Sequence, residues 1–396
     1  MQNMIPVSYK LLKGMNESLI LNLIRQRGPI SRADLAKFTN LTAPTVTNIT
    51  NKLLESNLIM EYMIGESSGG RRPILLKMNP QALNVIIVHI SSNKLTGYLT
   101  DGDLSIIKQE SYKIKNLKKD EIIDLMLFKI DNYLKQTTAE MPGIGVVVHG
   151  PVKAREGISI FAPNIGWKNV PIKFIVEDKF HIPTFIENDV RAMALGEFYY
   201  GPARDVSSMV FIKVGYGIGS GIIIDGKLYR GLNDSAGEIG HTTIDVSGPR
   251  CGCGNYGCLE AMASENALVN IMVRSIKEGR SSIVIDLAEG NLDCITPEMV
   301  YEAAAKGDVL AGRILRQVAR YLGIAIANVI NMFNPELIVI GGGIVRAKSF
   351  IEDTIVETVK NKALESSYGV TKINFSTMGD EATLKGAADM VMTEVL

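Results

Sequence analysis

Between Glu238 and Glu260 the chain gathers His241, Cys251, Cys253 and Cys258 into 18 positions, three of its four cysteines among them. Three soft thiolates and an imidazole at this spacing form a tetrahedral zinc set of the Cys3His kind. Four protein ligands fill the coordination sphere, so the Zn2+ would be structural and would activate no water. The glycines at 252, 254 and 257 let the backbone turn tightly enough for the sulfurs to reach one ion. The alternative is a set of buried free thiols. Cys294 stands apart and reads as a core thiol. Glu238 and Glu260 bracket the cluster, and whatever the metal holds in register includes them.

The chain that must position this cluster is 396 residues long, enough for two or three domains with ample core. Apolar residues at 46% and charged ones at 21% describe a soluble globular protein. No run approaches the roughly 18 apolar residues of a membrane span, and a signal-peptide pattern is missing. The expectation is a cytoplasmic, nucleoid-associated protein with no membrane partner, where clustered cysteines bind metal before they pair. The net charge of zero conceals an asymmetry: residues 1–80 carry ten Lys/Arg against five Asp/Glu. A basic first domain on an acidic body points to a polyanionic partner for that domain alone.

Residues 16–27 pattern as an amphipathic helix stopped by Gly28-Pro29. Ser31 to Asp34 resembles a capping box opening a short helix through Phe38, and Thr42 starts another with Pro44 in its first turn. In that helix Val46, Ile49, Leu53 and Leu54 share one side. Thr45, Thr47, Asn48, Asn51 and Lys52 occupy the other, a short polar face of the kind that reads a major groove. A merely solvated face would look similar. Two strands follow, Leu58–Tyr62 and Pro73–Met78, joined by a glycine-rich tip carrying Arg71 and Arg72. Guanidinium groups on a thin hairpin suit phosphates or a narrow minor groove. The whole of residues 1–79 is expected to be a winged helix-turn-helix that binds double-stranded DNA.

From Val85 the pattern changes to alternating strands and helices. Val85–Ile90, Leu95–Thr100 and Leu104–Ser111 form a meander, then come a helix near 120–135 and a strand at Ile144–Val148. A similar opening recurs at Met209–Val214, Gly219–Ile224 and Lys227–Tyr229, which indicates an internal duplication. The expected architecture is α/β and two-lobed, with one lobe over 80–200 and the other, holding the zinc segment, over 201–380. The last helix, 381–396, is expected to return to the first lobe, and a ligand cleft is expected between the lobes.

Seven stretches of this body resemble the ROK family (repressors, open reading frames and sugar kinases). They are HGPV (149–152), APNIGW (162–167), ENDVRAMALGE (187–197), VGYGIGSGIIIDGKLYRG (214–231), AGEIGH (236–241), CGCGNYGCLE (251–260) and IVIGGGI (338–344). Residues 1–79 resemble the winged helix of the family's repressor branch, of which xylose repressors are one type. The resemblance implies an actin-like, ribonuclease-H-like fold. It implies a sugar site in which Asn164 and Asn188 are hydroxyl-binding amides and Asp189 matches the catalytic base. Glu238 and Glu260 match carboxylates that accept sugar hydroxyls, and His241 matches a zinc ligand at the pocket wall. Trp167, the chain's only tryptophan, reads equally as pocket wall or core.

The family's kinases carry Asp-x-Gly-Gly-Thr between their first two strands, for the Mg2+ shell and the phosphates. The aligned run here is His89-Ile90-Ser91-Ser92-Asn93, and the second loop has Tyr216 where the kinases usually carry Thr. Phosphoryl transfer is positioning and charge neutralisation, so this loss implies no ATP, no kinase activity and a vestigial Asp189. The expectation is a sugar-responsive repressor: a homodimer or tetramer holding an inverted-repeat operator and releasing it on binding a monosaccharide. Xylose is the first candidate, ahead of glucose and N-acetylglucosamine or its 6-phosphate. The alternatives are an active sugar kinase with a DNA-binding domain, and a repressor controlled by a partner protein.

Overall fold

A computed structural model describes residues 14–66, 72–202 and 205–396. Helix α1 (Met15–Arg27) buries Ile20, Leu21 and Ile24. Helix α2 (Arg32–Thr39) starts at Ser31, whose hydroxyl accepts the Asp34 N–H at 3.1 Å and donates to the Asp34 carboxylate at 2.6 Å. The expected box therefore closes through the hydroxyl and not through a backbone donor. Helix α3 (Ala43–Glu55) is capped by Thr42 and buries Val46, Ile49 and Leu53. Strands β1 (Ile30–Ser31), β2 (Ile59–Ile64) and β3 (Ile74–Met78) form an antiparallel sheet in the order β1-β3-β2. Three helices and a hairpin of this kind make a winged helix.

Strands β4 (Val85–Ile90), β5 (Lys94–Thr100), β6 (Ile106–Lys113) and β7 (Ile144–Val148) open the body. A small sheet follows, with β8 (Val152–Lys153), β9 (Ile158–Ala162) and β10 (Trp167–Val170), and then β11 (Thr184–Asn188). The main sheet runs β11-β7-β4-β5-β6, with β4, β7 and β11 parallel and the β4-β5-β6 meander antiparallel. Strands β4 and β7 are apolar along almost their whole length because both faces are covered. Helices α4 (Lys119–Leu134), α5 (Ile172–Phe180) and α6 (Asp189–Tyr200) complete this part. Trp167 is 1% exposed within the apolar cluster of Val148, Val170 and Ile172, so it belongs to the core.

The same order recurs in a second sheet, β14-β13-β12-β15-β16, built from β12 (Met209–Val214), β13 (Ile218–Ile224), β14 (Lys227–Tyr229), β15 (Leu337–Gly341) and β16 (Lys372–Phe375). Again the first three strands form an antiparallel meander and the last two run parallel to the first. Helices α7 (Leu259–Ala263), α8 (Glu265–Lys277), α9 (Pro297–Ala305), α10 (Val309–Phe333) and α11 (Lys348–Lys362) surround it. None of the helices described is long and apolar enough to cross a membrane.

Residues Gly201–Gly379 form one compact unit; those up to Tyr200 form the other, together with Asp380–Leu396. Helix α12 (Asp380–Val395) thus belongs with the winged helix and the first sheet. It lies against α6 so closely that a Cβ on Gly196 would fall 1.9 Å from the Ala382 carbonyl oxygen, and one on Gly386 1.8 Å from that of Ala192. Helix α12 also receives α1. Arg25 and Asp389 form a buried ion pair at 2.8 Å, their side chains 1% and 3% exposed. Arg25 donates further to Asn22, Thr393 and the Asp389 carbonyl, while Tyr200 donates to Asp389 at 2.7 Å.

Candidate functional site

His241 closes a short turn (Ile239–His241), and Cys258 sits just ahead of α7. Between them the Cys251 N–H donates to the Asn255 carbonyl at 2.7 Å, and the Leu259 N–H reaches back to Thr242 at 2.9 Å. These bonds fold the segment into a knuckle. The His241, Cys251, Cys253 and Cys258 ligand atoms all lie within 4.8 Å of one another. Cys251 Sγ is 3.7 Å from His241 Nδ1, and Cys253 Sγ is 3.7 Å from Cys258 Sγ. An ion about 2.3 Å from each thiolate sets the sulfurs of a tetrahedron about 3.8 Å apart, so the cluster can bind a metal. Burial pushes the Cys258 thiol up to about 12 and raises Cys251 also, whereas the Asn255 N–H lowers Cys253. A divalent cation supplies the countercharge that two buried thiolates otherwise lack.

The knuckle holds both bracketing carboxylates. Glu260 lies on α7, accepts the Ile218 N–H at 3.1 Å and has an oxygen 4.0 Å from Cys251 Sγ. It lines a cavity of about 420 Å3 together with Tyr216, Arg250 and Asn266. Glu238 is exposed, and its carbonyl accepts the His241 N–H at 3.1 Å. One metal would therefore fix the backbone on which Glu238, His241 and Glu260 all ride.

In the other unit, Asn188 ends β11 and Asp189 begins α6. The Asn188 carboxamide is largely committed: it donates to the Gly150 carbonyl at 2.9 Å and accepts the N–H groups of Val190 and Arg191. Asp189 is 1% exposed; one of its oxygens accepts the Val190 N–H at 3.0 Å and the other lies 3.5 Å from His149 Nδ1. A carboxylate in the first turn of a helix is favoured by the helix dipole. Glu187 beneath it is locked to Arg191 at 2.6 Å. Asn164 is exposed on the turn Pro163–Ile165. His149, which the HGPV stretch alone does not single out, follows β7 directly, and β7 pairs with the β11 strand that leads into Asp189.

The hairpin between β4 and β5 is closed on itself. The Ser91 N–H donates to the Lys94 carbonyl at 2.9 Å, and the Lys94 N–H donates to the Ser91 hydroxyl at 3.2 Å. Two donors that a phosphate turn would present are thus used internally. On the winged helix, Thr47, Asn48, Asn51 and Lys52 are exposed on α3, and Thr45 is half-buried. The Thr47 hydroxyl donates to the Ala43 carbonyl, the Thr42 and Thr45 hydroxyls bond each other, and Lys52 pairs with Glu17 at 2.9 Å. An exposed pair of this kind holds its lysine weakly and yields it readily to a phosphate. Arg72 is exposed beside β3, and Arg71 lies outside the described residues.

Residues 85–394 match the ROK family and residues 14–62 match the MarR family. The chain belongs to the ROK family. This ROK chain is 35% identical to a xylose repressor of Caldicellulosiruptor bescii over 98% of both chains. Its fold is shared with a ROK family transcriptional regulator described as a homolog of the E. coli MLC protein, at a TM-score of 0.83, 33% identity and 96% and 97% coverage. A ROK glucokinase from Streptomyces griseus, solved with glucose and AMPPNP, matches at a TM-score of 0.68 and 28% identity. It covers 78% of this ROK chain and 98% of its own. The repressors are thus the better match, and the kinase resembles a part.

Proposed function

We propose that this protein is a sugar-responsive transcriptional repressor of carbohydrate-use genes. Its winged helices hold an inverted-repeat operator as a homodimer, and a monosaccharide releases it. The observation that carries this reading is a winged helix pinned by Arg25 to the same compact unit that presents Asp189. Xylose is the first effector to try, because a relative that matches from end to end bears that name. In this reading Asn164, Asn188, Asp189, Glu238, His241 and Glu260 are the residues that serve the sugar. Carboxylate oxygens are strong acceptors for hydroxyl groups, and amides set the orientation. The metal is Zn2+, and it keeps Glu238, His241 and Glu260 in register without taking part in chemistry.

Phosphoryl transfer is not part of the function. The self-closed Ser91 hairpin offers no cradle, and His89 stands where the metal carboxylate would be. Asp189 then contributes recognition alone. The output is mechanical: Asp189 heads α6, α6 packs on α12, and α12 carries Asp389 against α1. Because coupling between two ligands is reciprocal, bound operator weakens sugar binding by the same factor.

The test is a thermal-shift screen of monosaccharides followed by operator titrations with each hit. A sugar at 100 times its Kd adds about 2.7 kcal/mol of stability, an unmistakable shift. If no monosaccharide changes either melting or operator affinity, control belongs to a partner protein and the effector reading is lost. Turnover of a hexose or pentose with Mg-ATP at about 1 s⁻¹, the low end of kinase rates, would restore the enzyme.

A further inference from the structure

The carboxyl ends of parallel strands are where open α/β sheets bind ligands, and glycine turns there aim backbone N–H groups at anions. In the second unit β12 and β15 are parallel neighbours. Each ends in glycines: Gly215 and Gly217 after β12, and Gly341 to Gly343 at the end of β15. An anion is already there, and it belongs to the chain. Glu265, the first residue of α8, is 5% exposed. Its N–H donates to the Gly215 carbonyl at 2.8 Å, and its Oε1 accepts the buried Tyr301 hydroxyl at 2.9 Å. A Cβ built on Gly343 would lie 1.9 Å from Oε1 and 3.0 Å from Oε2, and one on Gly215 would lie 3.7 Å from Oε2. The carboxylate therefore fills the space that the glycines leave.

We propose that Glu265 is an internal plug that closes these glycine turns to nucleoside polyphosphates. A phosphate brought against Gly343 would overlap the carboxylate and place like charges together in a poorly hydrated space. The Tyr301 hydroxyl and the Gly215 carbonyl hold the plug from two sides, so its removal requires breaking buried hydrogen bonds. Burial raises the proton affinity of Glu265, with Glu298 adding to the shift and Tyr301, Arg346 and Lys213 opposing it. This agrees with a carboxyl group held away from water. The consequence is specificity: the protein responds to sugar whatever the prevailing level of nucleotide. The proposal rests on the repressor reading above, and it adds a second barrier to phosphoryl transfer, independent of the Ser91 hairpin.

The experiment titrates full-length, zinc-replete protein with Mg-AMPPNP by calorimetry. The wild type is expected to show no saturation at millimolar nucleotide. Glu265→Gln keeps the volume and removes the charge, and is expected to bind weakly but measurably. Glu265→Gly removes both and is expected to bind about tenfold tighter than Glu265→Gln. Saturable binding by the wild type overturns the proposal, and so does a folded, zinc-loaded pair of variants that both stay blind to nucleotide. Should Glu265→Gly fail to fold, Glu265→Gln decides alone: gain of binding supports the plug, and none refutes it. Operator release by sugar in the wild type is measured separately. Its failure sinks the repressor reading and leaves the nucleotide result standing.

Discussion

Replacing Arg25 with methionine should loosen the hold of α12 on α1 and so on the winged helix. The substitution keeps most of the buried stem and removes the cation, leaving Asp389 with Tyr200 at 2.7 Å, Gln26 at 3.3 Å and Thr393 at 3.4 Å. Breaking a buried pair by deleting one partner costs about 3–5 kcal/mol, and the three surviving donors place this case near the lower figure. At about 2–4 °C per kcal/mol for a unit of this size, the expected loss in Tm is about 6–12 °C. The double variant Arg25→Met, Asp389→Leu removes the stranded charge and should recover most of that loss, since apolar replacements for buried pairs are often neutral. Recovery should be incomplete, because the Tyr200 hydroxyl loses its bond to Asp389, at about 1–3 kcal/mol. Urea melts of the wild type, both single variants and the double supply the cycle. Operator titrations with and without sugar supply the functional half: the double variant should bind operator yet lose the sugar effect. An Arg25→Met protein within about 1 kcal/mol of wild type, or a double variant with full sugar response, would refute the argument.

Three further outcomes are expected. Chelation, or Cys258→Ser, should remove one metal ion per chain by elemental analysis and abolish the stabilisation by sugar, while operator binding by the winged helix persists. Arg72→Ala should weaken operator binding uniformly across sequences and reduce the slope of log K against log salt by about 1; an unchanged slope would remove Arg72 from the interface. Glu265, whose proton affinity is raised on folding, contributes less to stability as pH rises above the ordinary carboxylate range. Glu265→Gln should therefore gain more stability over wild type at about pH 8 than at about pH 5, read from urea midpoints.

The parts of the molecule that could be read from the sequence are those whose physics is local. Ser31 and Thr42 announced helix starts because a cap and its target lie three residues apart. His241, Cys251, Cys253 and Cys258 announced a metal cluster because ligand type and spacing suffice. Trp167 did not disclose its place, since a pocket wall and a core are equally apolar; its burial beside Val170 decides it. The pairings that carry the regulatory argument were out of reach altogether. Arg25 and Asp389 come from the two ends of the chain, and neither residue is unusual in its own neighbourhood. Glu265 reads as an ordinary helix-opening acid until Gly215, Tyr301 and Gly343 are set around it. Lys52 read as part of the DNA-facing polar face, and its pairing with Glu17 on α1 was not legible because the two lie 35 residues apart.

The return of α12 to the first unit also orders events during synthesis. Arg25 leaves the ribosome 364 residues before its acceptor on Asp389. At about 5–20 residues per second, that is an interval of about 20–70 s. For most of it the winged helix is complete while its anchor does not yet exist. A chain cut short before Asp380 would therefore carry a finished DNA reader without its Arg25–Asp389 anchor and without the helix that links it to α6. Proofreading by proteolysis would see the exposed flank of α1 and the uncovered glycine face of α6, which only a finished chain conceals.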